Sequence, residues 1–202
     1  MSGEIVVFDL AGVLCRFHPE RRLAGLSAAS GGRPSEIEEA IWGSGLDARA
    51  ELGDFAPPDL YQRLLAVFEG EIGFEQLRAA WAAAFEIDEE VCRVARAVRV
   101  PRCLFTNNGP MLTACLDQEL RSLLEVVERA VCSWQLGVRK PDREAFLRLA
   151  AELGVRPSVI TFVDDTAANC RGAEEAGLRA IHFEGPAALR SDLEKLGLLA
   201  SP

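Results

Sequence analysis

The sequence IVVFDLAGVL, residues 5–14, predicts how the chain begins to fold. Residues 5–8 form a short apolar run of mostly β-branched residues, which is followed by Asp9 and then by Ala11-Gly12. A short apolar run of this kind predicts a parallel strand that is buried on both faces. Because ligands of parallel sheets bind at the carboxyl ends of the strands, Asp9 is a candidate site residue.

Later apolar runs are followed by polar residues in the same way. Strands or apolar segments are predicted over 101–106, 126–133, 159–163 and 179–183, and helices over 88–97, 111–123, 142–153, 166–176 and 187–197. The polar groups that follow these runs are Thr106-Asn107, Lys140 and Asp164-Asp165. Strands that alternate with helices predict an α/β fold, with a Rossmann-like parallel sheet and helices on both faces.

A long stretch after the first strand has a different pattern. Helices are predicted over 19–29, 35–44, 57–69 and 74–86, and no strand is evident among them. We therefore expect a small helical cap over residues 17–87. The α/β core is then discontinuous and consists of residues 1–16 and 88–202.

The polar residues at the predicted sheet edge suit phosphate chemistry. Three carboxylates and the Lys140 ammonium carry about two net negative charges, which a divalent cation balances. An oxygen-rich site of this kind suits Mg²⁺. Lys140, Thr106, Asn107 and backbone N–H groups at a helix start are expected to hold phosphate oxygens. A carboxylate that faces a clamped phosphorus atom, such as that of Asp9, is a nucleophile for phosphoryl transfer.

The composition excludes several classes of function. The chain has 202 residues, is 49% hydrophobic and carries a formal charge of −9, so nucleic acid and anionic membranes are poor partners. No apolar run approaches the ~20 residues that span a bilayer. The acidic N-terminal stretch is unlike a signal peptide, and six cysteines without close pairing predict buried free thiols. We therefore expect a cytoplasmic protein, either a monomer or a homodimer.

Lysine is scarce in this chain. The 22 basic residues include only two lysines, Lys140 and Lys195, and the remainder are arginines. A lysine retained against this bias is a candidate for a role that needs a compact charge with three donors. Lys140 is therefore expected at the site rather than on the surface.

Four motifs, taken together and in order, resemble those of the haloacid dehalogenase superfamily of aspartate-nucleophile hydrolases. They are VVFDLAGVL, LFTNN, LGVRKPD and TFVDDTAANCRGAEEAGL, which span nearly the whole chain. Within the family, the stretch EGEIGFEQLRAAWAAAF and the patterns VRKPD and DD-x-x-x-N look most like the branch of sugar-phosphate phosphatases and epoxide-hydrolase N-terminal domains. The resemblance implies that Asp9 is the nucleophile, Thr106 and Lys140 are phosphate ligands, and Asp164 and Asp165 are the acidic pair, with Asn169 in the turn that follows.

One position departs from the family pattern. Phosphatases of this family usually carry a second Asp two residues after the nucleophile, and here that residue is Ala11. Its backbone carbonyl can still ligate the metal, but it has no side chain to transfer a proton. The leading hypothesis is a Mg²⁺-dependent phosphatase that acts on a small phosphorylated metabolite through an aspartyl-phosphate.

Other functions fit the sequence less well. A catalytically weak protein that binds a phosphorylated ligand is the main alternative, because of Ala11. A 2-haloacid dehalogenase would have no use for the acidic pair Asp164-Asp165. A mutase would need the second Asp that Ala11 replaces. Receiver domains have their acidic pair early in the chain, whereas here the pair follows Lys140.

Other conspicuous residues have simpler interpretations. Trp42, Trp81 and Phe85 recur at helical spacing, which favours a place in the cap core. We expect His18 to be structural or exposed, His182 to be a hydrogen-bonded core residue and Trp134 to pack beside the active-site edge.

Overall fold

The computed structural model describes residues 3–68 and 72–199 and confirms the α/β class. Its strands are β1 (Ile5–Phe8), β2 (Cys15–Phe17), β3 (Phe85–Ile87), β4 (Arg102–Thr106), β5 (Arg129–Cys132), β6 (Ile160–Asp164) and β7 (Arg179–His182). Five of them form a parallel sheet in the order β5-β4-β1-β6-β7. The strand that carries Asp9 at its end therefore lies in the middle of the sheet.

Helices cover both faces of this sheet. They are α1 (Pro19–Ser30), α2 (Pro34–Glu38), α3 (Leu46–Glu51), α4 (Pro57–Val67), α5 (Phe74–Ala82), α6 (Glu89–Arg96), α7 (Pro110–Leu116), α8 (Ser133–Leu136), α9 (Arg143–Leu153), α10 (Ala167–Glu175) and α11 (Pro186–Lys195). Alternate residues of β1 enter different cores: Val6 and Phe8 join one hydrophobic cluster, and Ile5 and Val7 join the other. The two-residue period of a strand explains this division.

The expectation that residues 19–87 contain no strand is wrong. The predicted helix over 74–86 ends at Ala82, and β3 pairs with β2 in a two-stranded antiparallel sheet, with Phe85 opposite Phe17. Their rings lie 5.4 Å apart. The partner strand is nearly 70 residues away in the sequence, so local periodicity gave no signal for this pairing.

Two predicted helices are shorter or differently built. The predicted helix over 35–44 is divided into two elements. The α-helix α2 ends at Glu38, and a π-helical segment, Glu39–Gly43, follows it directly and leads to α3. The structure has two separate elements in place of the predicted helix over 111–123. They are α7 and a 3₁₀ segment, Arg121–Glu125. The predicted end of the 57–69 helix lies partly outside the described residues.

The predicted burial of the cysteines is confirmed. All six are buried free thiols. Within the described ranges, none of the helices is long and apolar enough to cross a membrane.

Candidate active site

Lys140 lies at the centre of the site and is 3% exposed. Its ammonium nitrogen Nζ lies 2.7 Å from Asp9 Oδ1 and 2.7 Å from Asp164 Oδ2. It also donates to the carbonyl oxygen of Phe105 at 3.3 Å. The ammonium therefore joins the ends of three adjacent strands, β4, β1 and β6.

The charges of this cluster depend on one another. Burial raises the pKa of Asp9 to about 6, and the nearby Asp164 adds to the rise, while Lys140 opposes it. Burial alone lowers the pKa of Lys140, but its ion pairs with Asp9 and Asp164 outweigh this, and the pKa lies above the usual value. Lys140 therefore remains a cation at neutral pH.

Asp164 has hydrogen bonds to both of its carboxylate oxygens. Oδ1 accepts from the backbone N–H of Thr166 at 2.8 Å, and the Asn169 side-chain amide donates to both oxygens at 3.0 Å. Together with Lys140, these donors hold a fully buried carboxylate in one orientation. Asp164 thus fixes the turn that leads into α10, whose N-cap residue is Thr166.

The loop after β4 positions both Thr106 and Lys140. Asn108 Nδ2 donates to Thr106 Oγ1 at 2.8 Å. The Asn107 side chain donates to the Lys140 carbonyl oxygen at 2.8 Å and accepts from the Lys140 backbone N–H at 2.9 Å. The Asn107 side chain, predicted as a phosphate ligand, is therefore bonded to the Lys140 backbone, although the residue also lines the cavity.

Asp165 lies against the turn that follows Asp9. A Cβ atom added to Gly12, whose φ is +90°, would overlap the Asp165 carboxylate. Only a glycine combines this backbone conformation with the close approach. The turn thus brings Asp165 beside the Asp9 to Ala11 segment.

These residues fit the hard divalent cation that the sequence predicts. Asp9, Asp164 and Asp165 can each offer an oxygen, and these atoms lie within 4.8 Å of one another. Carboxylate oxygens are the ligands that Mg²⁺ prefers. With Lys140 paired to two of the three carboxylates, two net negative charges remain for the ion to balance.

A cavity of about 620 Å³ opens over the site. Asp9, Ala11, Thr106 and Lys140 lie in its wall together with residues of α1 to α3 and β3. It therefore lies between the sheet edge and the helical segment, which is the place that the sequence predicts for a substrate.

Contacts near α3 hold the helical segment against the sheet edge. Arg139 donates to Glu51 Oε2 at 2.9 Å, and Ser133 Oγ donates to the Glu51 carbonyl oxygen at 2.7 Å. Tyr61 on α4 donates to the Pro110 carbonyl oxygen at 3.3 Å. The cavity wall is therefore linked directly to the residue before Lys140.

The sequence did not identify the polar residues that the helical segment contributes to the cavity. Arg22, Asp47 and Glu51 line it, and so do Trp42 and Phe85, which the sequence places in the helical core. Trp81 and Phe85 are buried members of the hydrophobic core, as predicted, and the partly buried Trp42 packs against that core. Among the many arginines and acidic residues of this segment, no motif distinguishes the ones that face the cavity.

The two histidines lie outside the catalytic cluster. His182 is exposed, which corrects the expectation of a core residue, because it ends the edge strand β7. Its Nε2 lies 2.9 Å from the Asp165 carbonyl oxygen. His18 is half-buried beside Glu20 and Glu86. Trp134 Nε1 donates to Thr113 on α7 at 3.3 Å.

Comparison with known proteins identifies the family. Residues 4–177 match the family model of haloacid dehalogenase-like hydrolases, so the chain belongs to this family of hydrolases. This confirms the resemblance of the four motifs.

Individual relatives agree with this assignment. Phosphatase MT3486 of Mycobacterium tuberculosis is 28% identical over 98% of this chain and 97% of its own length. Flavin mononucleotide hydrolase 1 of Arabidopsis thaliana is 40% identical over 94 residues, which are 46% of this chain and 38% of that protein. The fold is shared by a family enzyme of Bacteroides thetaiotaomicron solved with magnesium and inorganic phosphate (TM-score 0.69, 19% identity, 89% of this chain and 93% of that chain).

We predict that Lys140→Met lowers the free energy of unfolding by roughly 3–5 kcal/mol, because it leaves two buried carboxylates without their counter-charge. Urea denaturation without divalent cations measures the loss. The matched control is Lys195→Met, since Lys195 is exposed and forms a surface ion pair with Asp192. Equal losses in the two variants would show that the buried ion pairs do not stabilise the fold.

Proposed function

We propose that this hydrolase is a Mg²⁺-dependent phosphatase that acts on a small phosphomonoester, such as a sugar phosphate, through an aspartyl-phosphate. The observation that carries the proposal is the position of Lys140 between Asp9 and Asp164 at the floor of the cavity. Relatives that are named as a flavin mononucleotide hydrolase and as a phosphatase support the choice of reaction.

In this mechanism Asp9 is the nucleophile. Lys140 pairs with Oδ1 of Asp9, and we assign the attack on phosphorus to Oδ2. Thr106 Oγ1 accepts a hydrogen bond from Asn108, which leaves the hydroxyl proton of Thr106 to donate to a phosphate oxygen. The ester P–O bond breaks as the bond to Asp9 forms, and the departing alkoxide takes a proton from water. The Lys140 ammonium offsets charge on the phosphoryl group during this step. Water then attacks the phosphorus of the aspartyl-phosphate and releases inorganic phosphate and Asp9.

The metal would be held by Asp9, Asp164, Asp165 and the Ala11 carbonyl oxygen. When bound, Mg²⁺ supplies Lewis-acid stabilisation of the phosphoryl oxygens. The chain's own residues orient these ligands, since Thr166 and Asn169 bond to Asp164 and Gly12 makes room for Asp165.

We also propose the division into a core of residues 1–16 and 88–202 and a cap of residues 17–87. Both boundaries fall at the paired strands β2 and β3, which connect the helical segment to the sheet. The cap would close over the cavity and hold the alcohol part of the substrate. A reducing, cytoplasmic location fits the six buried thiols.

The second candidate function is a protein that binds a phosphorylated ligand with little turnover. Ala11 favours it, because no carboxylate stands two residues after Asp9. Phosphate release from a panel of phosphorylated metabolites, measured with and without Mg²⁺, separates the two functions.

We predict that Asp9→Asn abolishes phosphate release, because the amide is a very poor nucleophile towards phosphorus. Steady-state phosphate release is measured together with circular dichroism to confirm folding. Asp59→Asn, on an exposed part of α4, is the control and keeps the parent rate. Near-normal turnover in a folded Asp9→Asn protein would rule out the nucleophile assignment.

We predict that Gly12→Ala weakens Mg²⁺ binding by roughly 10–100-fold, because the new methyl group displaces Asp165. Calorimetric titration with Mg²⁺ measures the affinity. The control is Gly154→Ala, since Gly154 also has a positive φ, +68°, but has no atoms in the way of a Cβ. A similar Mg²⁺ affinity in the two variants would contradict the role of Asp165.

We predict that Ala11→Asp lowers the ratio of kcat/KM for an aryl phosphate to kcat/KM for an alkyl phosphate. Aryl phosphates leave as stable phenolates, whereas alkyl phosphates need a proton donor. The new carboxyl group should speed alkyl-phosphate turnover roughly tenfold or more. The measurement is kcat/KM for both substrates in both proteins at saturating Mg²⁺. An unchanged ratio in a folded variant would show that another group already supplies the proton.

A further inference from the structure

Arg22 is a buried cation in the wall of the cavity. It lies on α1 and is 4% exposed. Its Nε donates to the Trp81 carbonyl oxygen at 3.2 Å, and the guanidinium lies 4.4 Å from the centre of the Trp81 ring. The rings of Phe17 and Phe85 lie 5.5 and 5.3 Å from it. Aromatic groups therefore hold the side chain in a fixed orientation.

The hydrogen-bonding capacity of Arg22 is only partly used. Its Nη2 is buried without a hydrogen-bond partner, and within residues 3–68 and 72–199 the guanidinium makes no direct ion pair. Burial lowers the pKa of Arg22 to about 10, so the group is still charged at neutral pH. A buried charged donor without a partner is costly. Arg22 also lines the cavity, so a ligand there can offer an acceptor to the guanidinium group.

Asp47 supplies an acceptor in the same wall of the cavity. The Asp47 carboxylate raises the pKa of Arg22 and so opposes the effect of burial, and both residues line the cavity. Trp42 Nε1 donates to Asp47 Oδ2 at 2.9 Å, and the Trp42 ring stacks on Trp81 at 5.9 Å. Two stacked indoles thus hold a donor-only group and an acceptor-only group in one wall of the cavity.

A hydroxyl group is the uncharged group that suits both partners. It accepts a hydrogen bond from the guanidinium and donates one to the carboxylate. A second anion on the substrate is disfavoured, because four acidic residues share this side of the cavity with Arg22: Glu20, Glu38, Asp47 and Glu51. Burial raises the pKa of Asp47 above its usual value, which also shows that this region disfavours added negative charge.

We propose that Arg22 and Asp47 form a hydroxyl-binding subsite, which selects phosphomonoesters that carry a hydroxyl group remote from the phosphate. The inference rests on the proposed function, because it assumes that the phosphate group lies at Asp9 and Lys140. Arg22 and Asp47 contact the substrate directly and determine specificity, and the bond-breaking step does not involve them.

Binding of non-hydrolysable phosphonates tests the subsite independently of turnover. The probes are straight-chain alkylphosphonates of increasing length and their ω-hydroxy and ω-carboxy counterparts, titrated by calorimetry in saturating Mg²⁺. At the chain length that reaches the subsite, the ω-hydroxy compound is expected to bind about tenfold tighter than the alkyl compound, or about 1.4 kcal/mol.

Variants assign this preference to residues. Arg22→Met and Asp47→Ala are each expected to bring the hydroxy-to-alkyl ratio of affinities close to one. Arg21→Met keeps the ratio, since the neighbouring Arg21 is exposed and pairs with Glu86 instead. If Arg22→Met does not fold, Asp47→Ala and the parent protein still decide the question.

Three results would overturn the subsite. They are equal affinities for alkyl and ω-hydroxy compounds at every length, a preference for the ω-carboxy compound, and failure of every phosphonate to bind. The proposed function is judged separately by phosphate release. Hydroxyl-dependent binding of phosphonates without release from any phosphate ester would contradict the phosphatase and leave the subsite standing.

Discussion

The arrangement of the site depends on the ammonium of Lys140, which lies 2.7 Å from carboxylates at the ends of two neighbouring strands. Two buried carboxylates at adjacent strand ends would otherwise repel each other and take up protons. The ammonium between them offsets this repulsion, because it pairs with both carboxylates. The backbone that carries Lys140 is fixed in turn by the Asn107 side chain, which bonds to both its N–H and its carbonyl group.

The order of the strands explains why distant parts of the sequence meet here. β1 lies between β4 and β6, so Asp9, Thr106 and Asp164 end three adjacent strands at one edge of the sheet. The close approach of α10 to the loop of Lys140 adds a further restraint, because a Cβ atom at Gly172 would overlap the Pro141 carbonyl oxygen. The same edge faces the helical segment, whose residues complete the cavity.

The parts of the structure that follow from local patterns were predicted well. The apolar runs before Asp9, Thr106 and Asp164 give strands within one residue of their predicted limits, since buried strands have a strong sequence signal. The pairing of β2 with β3 and the place of Arg22 in the cavity wall were missed. Both depend on contacts between segments far apart in sequence, and neither a three-residue strand nor one arginine among many has a local signature.

The central claim is that Asp9 carries the phosphoryl group during turnover. The most direct measurement is to quench the enzyme in acid during hydrolysis of an aryl phosphate, reduce it with borohydride and analyse its peptides by mass spectrometry. An acyl phosphate is reduced to an alcohol, so the account predicts homoserine in place of aspartate at position 9 alone. Sustained phosphate release with Asp9 unmodified, or modification of a different carboxylate, would contradict it.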